Sequence, residues 1–280
     1  MRVYISADIE GVTGVVTWGQ AGRPSSECYD WPFARRMMTH DVNAAIRGAR
    51  AAGADEVVVK DSHGGGKNLL IEDLEHGVEL ISGSGCGKLG MMEGIDGGFD
   101  CAMLIGYHAM AGTPHGIMEH TISGNVHRFS VNGVPTGEMG LSLATAGQFG
   151  VPLVAVSSDL AGCKEAEGIV SGVHTAVVKE ANGRYMGKTL HPSVTGPLIE
   201  EAARQGVESR ARITPWCPEG AVSLELEWNR TEEADACAQM LGWERVDGYV
   251  LTYEAADWAE AHIAARRAMD AGRHAAGSGK

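Results

Sequence analysis

Asp8 and Glu10 stand two residues apart just after the apolar run Val3–Ala7. Asp61-Ser62-His63 follows the β-branched run Val57-Val58-Val59, and His108 follows Met103-Leu104-Ile105-Gly106-Tyr107. Carboxylates and imidazoles are the donors that bind Zn2+ and related ions. Taken one at a time, each donor has a blander reading. Asp-x-Glu-Gly is an acidic turn, Asp61 or Ser62 caps a helix, and His108 is a core histidine bonded to a carbonyl. Glu138, at the expected start of a further helix, is an acidic residue favoured by the helix dipole. The combination shifts the balance. Three strand ends delivering such donors to one sheet edge point to a metal site, and so many donors point to two ions.

The elements that must position them alternate. Val3–Ala7, Glu56–Lys60, Glu79–Ser82, Cys101–Gly106, Val151–Val156 and Thr175–Lys179 read as strands. Pro32–Ala52, Thr136 (as cap) to Ala146, Ala161–Val170 and Pro192–Gln205 read as helices. Arg128–Val131 and Val134–Thr136 flank Asn132-Gly133, a pair suited to a tight primed hairpin turn. After Pro215 and Pro218 come a strand at Ala221–Trp228, a helix at Thr231–Leu241, a strand at Gly248–Thr252 and a helix at Ala255–Ala271. The tail Ala275–Lys280 is expected to be disordered. The fold class is therefore α/β: a mainly parallel sheet sandwiched by helices, with a smaller C-terminal α+β portion. The expected division is a metal-binding catalytic domain over 1–212 and the smaller portion over 213–280. In such sheets ligands bind outside the carboxyl ends of the strands.

The totals exclude more than they assign. At 280 residues, 44% hydrophobic and 21% charged, the chain has the balance of an ordinary globular protein. A net charge of −13 argues against nucleic acid or an anionic membrane as partner. No apolar stretch approaches the roughly eighteen residues of a membrane span, and no basic-then-apolar leader opens the chain. The six cysteines form no C-x-x-C pair, so a cytoplasmic location is expected rather than a disulfide framework. Gly83-Ser84-Gly85-Cys86-Gly87-Lys88 and Gly64-Gly65-Gly66 fit no phosphate-binding motif and read as turns. H-E-x-x-H is absent, and Gly140-Leu141-Ser142-Leu143-Ala144 misses the serine-hydrolase elbow by its last residue.

Ser6-Ala7-Asp8-Ile9-Glu10-Gly11, Asp61-Ser62-His63, Gly106-Tyr107-His108, Met118-Glu119-His120 and Gly137-Glu138 recur in a recognisable order. With Met92-Glu93-Gly94 they make the chain resemble, from Met1 to about Ala166, the bacterial zinc-dependent D-aminopeptidases. These are dipeptide-transport-associated, self-compartmentalising metallopeptidases. The resemblance implies two zinc ions per chain, with Asp8 bridging them. Glu10 and His63 would complete one site, and His108 and Glu138 the other, with His120 the catalytic histidine. It also implies a short peptide substrate with a free amino terminus, often bearing a D-residue, and a homo-oligomer as large as a ring-stacked decamer. Two departures lie beside the expected pocket: an extra residue within Gly112–Gly116, including His115, and the triple glycine after His63.

Two divalent ions about 3.5–4 Å apart acidify a bridging water enough for it to act as hydroxide near neutral pH. The expected reaction is attack of that hydroxide on a peptide carbonyl, with His120 stabilising the oxyanion or passing a proton to the leaving amine. His115 is a weaker substitute for His120, and Asp61 is expected to orient a ligand imidazole. Mn2+ or Co2+ could occupy the same donors. Two further readings share these residues. One is a metallo-amidase or esterase acting on L-peptides or other amides, and the other a non-catalytic dipeptide- or metal-binding protein.

Overall fold

Parallel strands buried on both faces need near-continuous apolar runs, and those runs form the main sheet. The computed structural model describes residues 1–22, 29–85 and 87–276. Expectations for Cys28, Cys86 and 277–280 fall outside them. In chain order the strands and helices are β1 (Arg2–Ala7), α1 (Trp18–Ala21), α2 (Trp31–Ala51), β2 (Glu56–Asp61), β3 (Glu79–Ile81) and β4 (Cys101–Ile105). There follow β5 (Val126–Val131), β6 (Val134–Pro135), α3 (Glu138–Gln148), β7 (Leu153–Asp159), α4 (Leu160–Ile169), β8 (His174–Gly183) and β9 (Met186–Thr189). The chain continues through α5 (Pro192–Ser209), β10 (Val222–Trp228), α6 (Thr231–Ala238), β11 (Glu244–Arg245), β12 (Val250–Ala255) and α7 (Trp258–Ala275). The mainly parallel α/β sheet flanked by helices is as expected. Ala275, placed in a disordered tail, instead closes α7.

The main sheet has the order β3-β2-β1-β4-β7-β8-β9, parallel throughout except for the last pair. From β1 the chain runs outward to β2 and β3, then returns to β4 on the other side. That reversal makes β1/β4 the switch point, where α/β folds open a ligand crevice. Ala7 pairs with Asp61 on one flank and with Ile105 on the other, so the three strands end level.

A second, antiparallel sheet has the order β11-β12-β10-β5-β6. Its hairpin β5–β6 turns on Asn132 (φ 52°) and Gly133 (φ 77°), the two left-handed residues that a primed turn requires. Residues on both sides of position 212 therefore share one sheet. A second hydrophobic core, including Phe129, Leu224, Trp228 and Trp258, lies between this sheet and α3, α6 and α7. The hairpin leads directly into α3. Its N-cap is Gly137, not Thr136, whose hydroxyl donates to Val134 O instead (2.8 Å). Glu138 becomes the first residue of that helix.

Candidate metal centre

Asp8 and Glu10 lie past the end of β1, in a turn, where they are 2% and 1% exposed. Asp8 N–H donates to Ile105 O (2.8 Å) and Gly11 N–H to Gly106 O (2.7 Å), so the turn is tied to β4. Gly106 has φ +74°, and a Cβ there would stand 2.4 Å from Asp8 O; only glycine permits that approach. From β8, the buried Lys179 ammonium donates to the carbonyls of Glu10 (2.5 Å), Val12 (2.9 Å) and Val15 (2.5 Å). From α2, Asp41 accepts the Thr13 N–H (2.8 Å) and hydroxyl (2.9 Å). The acidic turn is held from two sides.

Three imidazoles complete the cluster, and all are oriented alike. His63 Nε2 lies 2.6 Å from Ala21 O, His108 Nδ1 3.0 Å from Ala109 O, and His120 Nδ1 2.9 Å from Met118 O. A carbonyl oxygen only accepts, so each of these nitrogens carries the proton of the neutral ring. In the neutral ring the opposite nitrogen is a lone pair, and in every case that nitrogen faces carboxylate. His63 Nδ1 is 3.2 Å from Asp8 Oδ1 and 3.1 Å from Glu10 Oε2. His108 Nε2 is 3.6 Å from Asp8 Oδ2 and 3.2 Å from Glu138 Oε1, yet it is fully buried with no aligned hydrogen bond. His120 Nε2 is 3.5 Å from the same Glu138 oxygen. Lone pairs crowded against carboxylates repel unless positive charge stands between them. This is the donor geometry of metal-ligating histidines, which give their other N–H to a carbonyl or carboxylate. The donors fit divalent cations.

The titration behaviour shows the same demand for positive charge. Burial, then the neighbouring Glu10 charge, pushes Asp8 up to about 8. Burial opposes ionisation of Glu10 and Glu138 as well, yet the His63 and His108 charges respectively hold them below the carboxylate range. Burial also opposes charge on His63 and His108; Glu10 and Glu138 respectively outweigh it and hold both rings well above the usual imidazole value. His120 moves the other way, lowered by burial and by the His108 charge. Three carboxylates packed together require compensation, from protons or from bound cations.

Donor atoms of Asp8, Glu10 and His108 lie within 4.8 Å of one another, as do those of His108, His120 and Glu138. His120 stacks on His108 (centroids 4.0 Å, 12°), with Trp18 edge-on to it at 5.1 Å. A cavity of about 920 Å3 opens onto Asp8, Glu10, His63, His120 and Glu138, while His108 lies behind this lining. All six residues singled out from the sequence thus converge. Glu138 is placed by α3, and its Oε1 also accepts Ile122 N–H (2.6 Å).

Asp61 does not do what its position promised. Its carboxylate accepts the N–H of Asn68 (2.6 Å) and Leu69 (2.8 Å) and touches no imidazole. Asn68 in turn donates to His63 O (2.9 Å), so Asp61 shapes the backbone of the loop rather than a ring. His115 is exposed at φ +59° and outside the cavity lining, whereas Gly64 forms part of that lining. Lys179, Asp41 and Trp18 were missed. A lone lysine ending the apolar run Ala176-Val177-Val178 was the one available signal, and Trp18 offered none.

A parallel α/β sheet with carboxylates and imidazoles crowded at its carboxyl edge defines the class, an α/β protein built around a candidate metal centre. More specifically, the chain belongs to the D-aminopeptidase family, whose model matches residues 1–266, well beyond the Ala166 reached by motif resemblance. It is 34% identical over 267 residues to the D-aminopeptidase of Bacillus subtilis (strain 168), covering 94% of this chain and 95% of that one. It also superposes on a solved structure at 33% identity with a TM-score of 0.92, covering 97% of this chain and 98% of the other. That structure is the zinc-dependent D-aminopeptidase DppA from Bacillus subtilis, a self-compartmentalizing protease.

Proposed function

We propose that this chain is a dinuclear zinc aminopeptidase that removes the N-terminal residue of short peptides, D-residues included. The observation that carries the reading is the set of three imidazoles, each giving one N–H to a carbonyl and turning its other nitrogen on the carboxylates. Asp8, Glu10 and His63 would hold one ion, and His108 and Glu138 the other. Asp8 would be shared, since Oδ1 faces His63 and Oδ2 faces His108. Bound zinc supplies Lewis acidity and acidifies water near neutral pH.

The chain's own residues do the rest. Lys179 and Asp41 hold the turn that presents Glu10. The carbonyls of Ala21 and Ala109 fix the ring orientations of His63 and His108. His120 faces the cavity, and burial, then the His108 charge, lowers it from the ordinary imidazole value, which favours the neutral ring. Its Nε2 is placed to take a proton from the attacking water and pass it to the leaving amine nitrogen as the peptide C–N bond breaks. The catalytic unit is assigned to 1–212 and the smaller α+β portion to 213–280, with β5–β6 completing its sheet. A cytoplasmic homo-oligomer, as large as a decamer, is the proposed assembly; among the described residues no helix is long and apolar enough to cross a membrane.

Metal stoichiometry measured alongside hydrolysis tests the reading. About two zinc ions per chain are expected, with turnover of D-alanyl peptides lost on chelation and restored by zinc. Equal, weak turnover of D- and L-aminoacyl amides and dipeptides would refute it.

A further inference from the structure

The cavity that opens onto the acidic cluster has a second, chemically different end. Three cations line it: Lys60 from β2, and Arg266 and Arg273 from α7 of the second core. Two are already committed. Lys60 Nζ donates to the carbonyls of Asp61 (2.6 Å) and Gly83 (2.9 Å), and Arg273 is paired with Asp270 at 2.8 Å. Arg266 is not. Its one hydrogen bond among the described residues runs from Nη1 to Gly87 O (3.1 Å), and it forms no ion pair with a described carboxylate. Glu93, also in the lining, is occupied with Leu89 N–H (2.9 Å). A guanidinium offers five N–H donors in a planar fork. Arg266 is half-buried in the wall of this cavity, with four of those five donors unused among the described residues and so available to an incoming anion.

Its position is fixed relative to the cluster. The Arg266 stem lies over Gly90, where a Cβ would come within 2.9 Å of Arg266 Cδ. Met91, the next residue, accepts hydrogen bonds from Ser6 (2.8 Å) and Ser62 (2.7 Å), and Ser62 immediately precedes His63. The turn beneath Arg266 is therefore tied to the strand ends that carry the candidate metal donors. The glycine-rich segment after β3 supplies Gly87 O and further cavity wall, which gives that segment a role beyond a turn.

We propose that Arg266 receives the C-terminal carboxylate of a short peptide whose amino end lies at the Asp8–Glu138 cluster. The inference rests on the aminopeptidase reading and deepens it. The free carboxylate is the one anion every unblocked peptide carries, and a guanidinium fork matches it bidentately. Reading both ends of the substrate restricts the enzyme to peptides short enough to span the cavity, and it disfavours those with a blocked C-terminus.

The test compares D-alanyl peptides of two to four residues with their C-terminal amides. At the preferred length wild type should favour the free acid in kcat/KM by about ten-fold or more, mainly through KM. Arg266→Gln, which keeps the stem over Gly90, and Arg266→Ala should bring the ratio towards one, with Arg266→Lys between. Arg267→Ala removes the same charge from an exposed neighbour outside the lining and should retain the ratio. A wild-type ratio near one at every length, or a ratio retained in Arg266→Gln, overturns the proposal. Calorimetric binding of D-alanyl-D-alanine and its amide separates this failure from that of the aminopeptidase reading. A preference for the acid that disappears in Arg266→Gln upholds the subsite even without turnover, and equal binding of acid and amide by wild type rejects it.

Discussion

Replacing Lys179 with methionine is the sharpest probe of how the acidic turn is held. Methionine keeps the length and apolar character of the side chain but removes the ammonium that serves Glu10 O, Val12 O and Val15 O. A buried acceptor left unpaired costs roughly 1–3 kcal/mol, so three cost about 3–9 kcal/mol. One effect opposes this. Burial holds the Lys179 amine at about 8 against its ordinary 10.5, a charge-burial cost of roughly 3 kcal/mol that methionine does not incur. The net expectation is a loss of about 3 kcal/mol, or a Tm lower by roughly 6–12 °C at this chain length. Because the loosened turn carries Glu10, zinc affinity should also fall by about ten-fold. Circular dichroism melts of the chelated protein read the first effect, and a competition titration against a zinc chelator reads the second. Lys188→Met, at an exposed position on β9, serves as control. If the melt stayed within about 2 °C of wild type and zinc affinity were unchanged, the clamp argument would be refuted.

Asp8→Ala should lose more zinc per chain than His120→Ala, because Asp8 faces both histidine groups while His120 faces the cavity; equal retention in purified proteins would count against a shared carboxylate. Gly106→Ala forces a Cβ to 2.4 Å from Asp8 O at φ +74° and should cost about 3 kcal/mol or more, with metal lost alongside. A variant that melts like wild type would show that the turn can shift. Burial, then the Arg266 charge, holds His262 down at about 4, so the native state binds fewer protons than the unfolded chain between pH 6.5 and 4. The stability this group contributes is present above 6.5 and is lost as pH falls towards 4, by up to roughly 3 kcal/mol. His262→Gln should therefore flatten the decline of Tm across that window; an unchanged slope would assign the acid sensitivity to other groups.

The candidate donors were legible because chemistry and periodicity coincided. Asp8, His63 and His108 each follow an apolar run that only a buried parallel strand explains, and level strand ends bring such residues together. Glu138 was visible as a helix start, and the Asn132-Gly133 turn was visible because few residue pairs tolerate two positive φ values. Asp61 was misread because residue type and spacing say nothing about a loop that folds back to offer Asn68 and Leu69 amides.

Local sequence, by itself, determined the strand and helix alternation and the types of group at the sheet's carboxyl edge, since both follow from side-chain chemistry and spacing. Tertiary structure placed two nearby histidines differently, stacking His120 on His108 and leaving His115 in solvent, where the resemblance had only ranked them. It also brought Lys179 beneath the acidic turn and Arg266 over Gly90, across gaps of more than 160 residues. These contacts depend on strand order and on how the second core packs against the first. Nothing in a residue's neighbours along the chain encodes where a distant strand or helix will present its side chain.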